Sequence, residues 1–594
     1  MASTKTIGHA GRVVLYAMAP VATAALVGWT IANPGANEPL FVQTTYYALL
    51  ALVLIYAGVR LQRVDVDSLR VWAREHALGI AAALVVGLVA VAAVDPALRI
   101  LADEANLVGT SKHLYFHRAA DFPIAGKWYY DTYWTLTSVT DRRPALYPFL
   151  VSLVHVVGGY RVENAFYVNA MVLVVLVFAS YRLAKSLGGE VFGLATALLI
   201  GAQPNVLVAA RSAGFDLLAT CMLVVVCQSF VEASRQPSSR RVAIVVLNLC
   251  LLANVRYEGW ALLVLGVVLL VATRILKRTE LRGYGWLYSI MPLLLLPRYW
   301  QTVAKASDQE QPLSASLFGL GHFWNNWGEY LGLLRQPLAT EAPHAPFVIA
   351  LAIAGALTLA VQGGFVLRSR QATWHGARVA LFVAGFVGAQ VVICFSYFWG
   401  HPLHPASARL FLWLDVTTAF GAGWLLATAG RLVPVEVAAL GRRTTGLLPL
   451  FVATALFAMA VPAAQEARFI HSLGLTRQSA EAWRYFSSLG TRRILVLTDR
   501  PGLFTIYDYG AMNIVDAPRS LLYELSRHLY EDIYLVQEVD LATHRPQKKF
   551  DPWPDVATQA VLEFQNTADT SVRIARVVHP DATGAKATRG APSR

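Results

Sequence analysis

Two adjacent carboxylates, Asp103 and Glu104, stand about eight residues past the end of a long apolar run, in the segment Asp95-Pro96-Ala97-Leu98-Arg99-Ile100-Leu101-Ala102-Asp103-Glu104. A carboxylate placed there can take a proton from an attacking hydroxyl or hold a cation. Asp95 followed by Pro96 reads as a helix start, a capping side chain and then a proline at the first helical position. The pair is then expected about two turns into a helix lying at a membrane surface, its members pointing about 100° apart. The plainer alternative is a solvated helix face carrying an Arg99–Asp103 pair at i, i+4, worth a few tenths of a kcal/mol. Asp216 and Asp415 fall inside apolar runs, where charge is costly and is usually functional or paired. Four histidines, His113, His117, His401 and His404, are candidates for a divalent metal, although their spacing matches no common ligand pattern.

The elements that must position these groups are membrane helices. Hydrophobic residues make up 56% of the 594, charged residues 15%, and the mean hydropathy is +0.48. The apolar residues come in blocks of about 18 to 25, the length that crosses about 30 Å of hydrocarbon. The reading is a polytopic α-helical membrane protein with about thirteen spans. They lie near 12–32, 43–62, 77–95, 162–181, 190–209, 213–232, 241–254, 258–273, 284–298, 345–367, 377–399, 409–429 and 446–463. The first follows Lys5 and Arg12 and is long for a signal-peptide core, so it is read as retained.

The net charge of +13 follows from topology rather than from a nucleic-acid partner. Alternate loops carry Arg60, Arg63, Arg70 and Arg74; Arg182 and Lys185; Arg235, Arg240 and Arg241; Arg274, Lys277, Arg278 and Arg282; Arg368, Arg370 and Arg378; and Arg431, Arg442 and Arg443. All fall on one side of the thirteen-span arrangement, which the positive-inside rule makes cytoplasmic along with the N-terminus. Asp103 and Glu104 therefore face outward, as do the loops at 96–160 and 299–344 and the whole C-terminus. Cys221, Cys227, Cys250 and Cys394 all lie in apolar spans, which argues against disulfides.

The first external loop is rich in aromatic residues, Tyr115, Phe116, Trp128, Tyr129, Tyr130, Tyr133 and Trp134 among them. An apolar stretch near 146–158 is too short to span and is expected to lie in the interface. Past residue 464 the hydropathy falls to that of a soluble domain. Helices near 476–489 and 519–530 alternate with strands near 493–498, 533–536, 560–564 and 571–577, a small α/β domain over 465–580. The expected division is two N-terminal spans in 1–75, a transmembrane core in 76–464, this external domain, and a disordered tail at 581–594.

Four features together resemble the GT-C type of polyprenyl-phosphate-dependent membrane glycosyltransferases, the branch of the protein O-mannosyltransferases and lipid A aminoarabinose transferases. They are Arg99-x-x-x-Asp103-Glu104 opening the external loop, Pro144-Ala145-Leu146-Tyr147-Pro148-Phe149-Leu150 about forty residues later, Asn254-Val255-Arg256-Tyr257-Glu258-Gly259 at an external span boundary, and a soluble C-terminal domain. The resemblance covers about residues 76–430. Ala145 stands where the family usually has a second proline, Arg143 where many members have Lys or His, and two spans precede the family-like core.

The resemblance implies a GT-C fold and transfer of one sugar from a polyprenyl-phosphate carrier, with inversion, to an acceptor hydroxyl on a glycan, a lipid or a protein. It also implies Asp103 as the general base, with Glu104 in a secondary role. A lipid phosphate calls for cations independent of pH, which arginine supplies with a fork that grips two oxygens. The outward-facing candidates are Arg256 and Arg409 first, then Arg143, Arg142, Lys127 and His404, with Arg211, Lys112 and His401 behind them. Arg99, Tyr147, Glu258 and Asp216 are expected to line the substrate pocket, though Arg256 with Glu258 could equally form a local ion pair. No cofactor is certain. Membrane lipids are the other expected partner, and the Ala-, Val-, Leu-, Arg- and Gly-rich composition suits a bacterial inner membrane. A transporter or flippase of a lipid-linked solute is the alternative function, and a non-catalytic assembly subunit a third; the transporter would call for repeats and paired midplane charges.

Overall fold

The computed structural model describes residues 9–62, 65–129, 131–275, 283–305, 316–335, 344–368, 374–404, 406–432, 447–465, 474–565 and 569–579. The tail expected at 581–594 lies outside them. The chain divides into two compact units. One comprises Met1–Pro96, Arg142–Leu150 and Ala165–Phe469; the other comprises Ala97–Asp141, Val151–Asn164 and Ile470–Arg594.

The first unit is helical. Among the described residues, six of its helices are long and apolar enough to cross a membrane: Pro34–Leu61, Glu163–Gly188, Asp216–Arg235, Arg378–Ser396, Ala408–Gly430 and Leu448–Gln465. A seventh span arises if Val66–Glu75 and Ala77–Ala93, bent by 72° at their junction, count as one. The expectation of thirteen is thus met by six or seven among the described residues. Several of the other apolar runs fold into helices too short to span. Gly259–Ala272 has 14 residues and Glu190–Gly201 has 12, about 21 and 18 Å at 1.5 Å per residue, against about 30 Å of hydrocarbon. The run near 190–209 is split because Pro204 begins a new helix, Pro204–Ala209, after a break at Ala202 and Gln203. Backbones approach closely where Pro346–Arg368 meets Leu412–Leu432. A Cβ on Gly355 would come 2.0 Å from the Gly421 carbonyl oxygen, so only glycine fits there.

The second unit is built on one seven-stranded sheet. Its strands are β1 Phe122–Tyr129, β2 Thr132–Val139, β3 Ile494–Thr498, β4 Gly510–Asn513, β5 Asp532–Asp540, β6 Thr558–Gln565 and β7 Thr570–Val577. They are ordered β2-β1-β4-β3-β5-β7-β6. β3 runs parallel to β4 and β5, and the other pairs are antiparallel. β3 is buried throughout because both faces are covered. Ile494 and Val496 pack with Phe486, Phe504 and Tyr534 on one side, while Leu495 and Leu497 pack with Leu521, Trp553 and Phe550 on the other. That double burial is why this strand reads as an unbroken apolar run. The hairpin β1–β2 comes from the loop expected at 96–160 and joins the C-terminal strands through Gly126 opposite Ala511. The external loop and the C-terminal α/β region therefore share one sheet.

One local expectation changes. The helix after the first apolar runs spans Leu101–Phe116, not a start at Pro96, so Asp103 and Glu104 sit in its first turn. The helix Leu146–Gly158 has 13 residues, too short to span; residues 146–149, 151 and 152 are buried, and strong exposure begins at Val156 and Val157.

Candidate functional site

In the sheet-bearing unit, the start of Leu101–Phe116 explains how the two carboxylates differ. Its N-cap, Ile100, offers no side-chain acceptor. Glu104 takes over that role. Its backbone N–H donates to the Ile100 carbonyl at 2.9 Å, and its carboxylate accepts the Arg99 N–H at 2.8 Å. A first-turn carboxylate that closes a loose backbone donor and also meets the positive end of the helix dipole fixes the chain entry. Glu104 is 2% exposed and Arg99 5%. Asp103 is the half-exposed member of the pair and so the one a reactant can reach.

Further along the same helix, Lys112 is 4% exposed. Its ammonium donates to the Thr505 carbonyl at 2.6 Å, pairs with Asp508 Oδ1 at 2.7 Å, and lies 4.3 Å from the Tyr133 ring centroid. Burial pulls its pKa down, and Asp508 opposes that. His113 meets Asp121 at 2.8 Å through Nδ1. Burial tends to raise the Asp121 carboxyl, but hydrogen bonds from His113 and Ser138 outweigh it and leave it below the usual range. Lys127 faces Glu524 at 3.4 Å. His155, fully buried between Ser111 Oγ and the Asn164 amide, is pushed by burial to about 4 and stays neutral.

In the helical unit, four expected residues come together. Asp216, the first residue of its helix, bridges two arginines: Oδ1 lies 2.5 Å from Arg256 Nη1, and Oδ2 lies 3.3 Å from Arg409 Nη1. Glu258 Oε1 lies 2.6 Å from Arg256 Nε, so the local ion pair is present alongside the Asp216 bridge. Arg409 also donates from Nε to the Ala406 carbonyl. The segment of Arg143 is tied to this turn, since Leu146 N–H donates to the Asn254 carbonyl and Gln301 Nε2 donates to the Arg143 carbonyl. Gln301 Oε1 in turn accepts Arg298 Nη1 at 2.7 Å, and the Arg298 guanidinium sits 5.9 Å from the Tyr257 ring centroid.

No family model matches the sequence, and no curated protein matches it. Among solved structures, the chain is similar to ArnT from Cupriavidus metallidurans in the apo state, with a TM-score of 0.49 and 14% identity over 85% of this chain and 98% of that one. The same protein bound to undecaprenyl phosphate gives a TM-score of 0.47 and 14% identity, over 84% and 98%. The Archaeoglobus fulgidus oligosaccharyltransferase in its apo form gives 0.40 and 11%, over 77% and 69%.

The remaining expected residues are distributed as follows. Tyr147 is fully buried and its hydroxyl donates to the Ala165 carbonyl. Arg142 is half-buried beside Arg143, and His404 is exposed, its Nδ1 accepting the Ala406 N–H. Arg211 is buried and donates from Nε to the Val94 carbonyl. Asp103, Glu104, Arg99 and Lys127 belong to the sheet-bearing unit; Arg256, Arg409, Arg142, Arg143, His404, Tyr147, Glu258 and Asp216 belong to the helical one. The histidines do not assemble a metal centre: His113 is engaged by Asp121 and His401 by Glu329, and among the described residues no group of three or more His, Cys, Asp or Glu is placed to hold one.

Sequence reasoning passed over two groups. Arg298 closes an apolar run, and a cation at that position was itself a signal. His344 is fully buried against Asp415 at 2.6 Å, with Asn205 on the other carboxylate oxygen. It accounts for the in-span Asp415 as a packed polar network, and its sequence neighbourhood carries no mark of it.

Proposed function

We propose that this protein transfers one sugar from a polyprenyl-phosphate carrier to an acceptor hydroxyl outside the cytoplasm, with inversion, and that Asp103 is the general base. The observation that carries this reading is the separation of the two first-turn carboxylates. Glu104 is spent on the backbone at Arg99, while Asp103 keeps a half-exposed carboxylate at the positive end of a helix. A carboxylate within a reactant's reach at the positive end of a helix can take the proton of a hydroxyl as it attacks an anomeric carbon. The leaving group is an anionic phosphate, so no protonated acid is required on that side. Arg256 and Arg409 are the groups assigned to that phosphate. Asp216 fixes both side chains, which lowers the ordering cost of gripping an anion. Glu258 and Asp216 act as positioning residues for these arginines. Lys127, occupied by Glu524, is given no part in it.

The test uses purified full-length protein and a radiolabelled polyprenyl-phosphate sugar. Sugar transfer or release should be detectable with the wild type and fall about 10²–10⁴-fold in Asp103→Asn, the usual weight of one positioned proton acceptor. A folded Asp103→Asn protein with full activity removes Asp103 as the base.

A further inference from the structure

The charges of the arginine cluster do not balance. Among the ion pairs of the described residues, Arg256 and Arg409 meet Asp216 and Glu258, two cations against two carboxylates. Arg298, joined to them through Glu258's neighbour Tyr257, adds a third cation. Its side chain is 4% exposed and its Nε has no hydrogen-bond partner. Among the described residues its only side-chain hydrogen bond is to the neutral Gln301 oxygen, and no carboxylate stands within salt-bridge distance. A guanidinium taken out of water without a counter-ion is costly, and proteins that keep one generally supply its anion from elsewhere. Tyr257, whose ring underlies the guanidinium, is 44% exposed, so the cluster has an open side.

We propose that Arg298 is the anion-accepting cation of this cluster, its counter-charge supplied by the phosphate of the lipid-linked donor. This deepens the reading above and rests on it: the donor must be a lipid phosphate. Arg256 and Arg409, held in place by Asp216 and Glu258, remain donors to that phosphate, and Arg298 adds the positive charge that no ion pair among the described residues matches. Gln301 orients the guanidinium by accepting from Nη1, which leaves Nε and Nη2 as the forked pair for two phosphate oxygens.

The experiment measures binding of undecaprenyl phosphate, and of undecaprenol without the phosphate, to the full-length protein in nanodiscs, for the wild type, Arg298→Met and Arg298→Lys. The wild type should prefer the phosphate at least tenfold. Arg298→Met should lose about 10- to 100-fold of phosphate affinity, the weight of a charged hydrogen bond, with the alcohol unaffected. Arg298→Lys, which keeps charge but not the fork, should fall between them. Apo Arg298→Met should melt no lower than the wild type, because it removes an uncompensated charge. Loss of melting temperature with phosphate binding intact would make Arg298 a structural prop and overturn the proposal, as would unchanged affinity in both variants. A wild type indifferent to the phosphate would overturn the donor reading itself.

Discussion

Asp508→Asn should destabilise the sheet-bearing unit by an amount the geometry sets. Asp508 holds φ at +62°, a conformation that Asn also accepts readily, and the two side chains share a shape, so the change removes charge and little else. Lys112, 4% exposed, then keeps the Thr505 carbonyl and the Tyr133 and Tyr160 rings for its ammonium, and no full counter-charge among the described contacts. Breaking a buried pair from one side costs about 3–5 kcal/mol. Asp508 is itself 26% exposed, so water reaches the gap and the low end, about 3 kcal/mol, is expected. For a unit of this size that lowers the melting transition by about 6–12 °C. The pH dependence provides the sharper signature. Burial lowers the folded-state pKa of Lys112 beneath its unfolded value, so over that window the unfolded chain binds more protons and stability rises with pH until the unfolded pKa is passed. Without Asp508 the window widens downward, so as pH rises toward the ordinary lysine range Asp508→Asn should regain stability on the wild type. Intrinsic-fluorescence melts of the full-length protein, with limited proteolysis to locate the loosened segment, measure both. A variant melting within about 1 °C of the wild type at about pH 7, with a parallel pH curve, refutes the view of Lys112–Asp508 as a strut.

Lys112→Met should cost less than Asp508→Asn in the same melts, because the stranded Asp508 is partly solvated and retains Arg492 at 3.4 Å. Glu104→Ala should loosen the start of Leu101–Phe116 by about 1–2 kcal/mol, as loss of a cap does, whereas Glu104→Gln should cost less by keeping an acceptor for Arg99 N–H; hydrogen exchange at residues 99–104 reads the difference. Gly355→Leu should abolish recovery of folded protein from membranes, since its side chain would displace the Gly421 backbone, while Gly388→Ala, where a Cβ meets nothing within 4 Å, should be recovered normally.

What could be read from the sequence divides along local against long-range causes. Ile494–Thr498 was legible because a strand covered on both faces is apolar at every position. The hairpin β1–β2 was not: Pro123 and Gly126 interrupt β1, and its sheet partner lies nearly four hundred residues away at Ala511. The helix start failed because Asp95-Pro96 carried the right local signal while Glu104, reaching back to Arg99, set the boundary from inside the helix. Spans were legible as apolar runs, but their lengths were not, since breaks such as Ala202-Gln203-Pro204 interrupt the helix without interrupting the hydropathy. At the candidate site, Arg256, Glu258, Arg409 and Asp216 were each marked by charge at the end of an apolar segment. That Asp216 joins the two arginines across 40 and 193 residues of sequence is a tertiary fact with no local trace.

The central claim is that Asp103, and not Glu104, takes the acceptor proton. Sugar transfer from a radiolabelled polyprenyl-phosphate donor, measured side by side for Asp103→Asn and Glu104→Gln in proteins with matched melting behaviour, tests it most directly. The expected result is a loss of about 10²–10⁴-fold for Asp103→Asn and a far smaller one for Glu104→Gln. The reverse order, or full activity in Asp103→Asn, would contradict it.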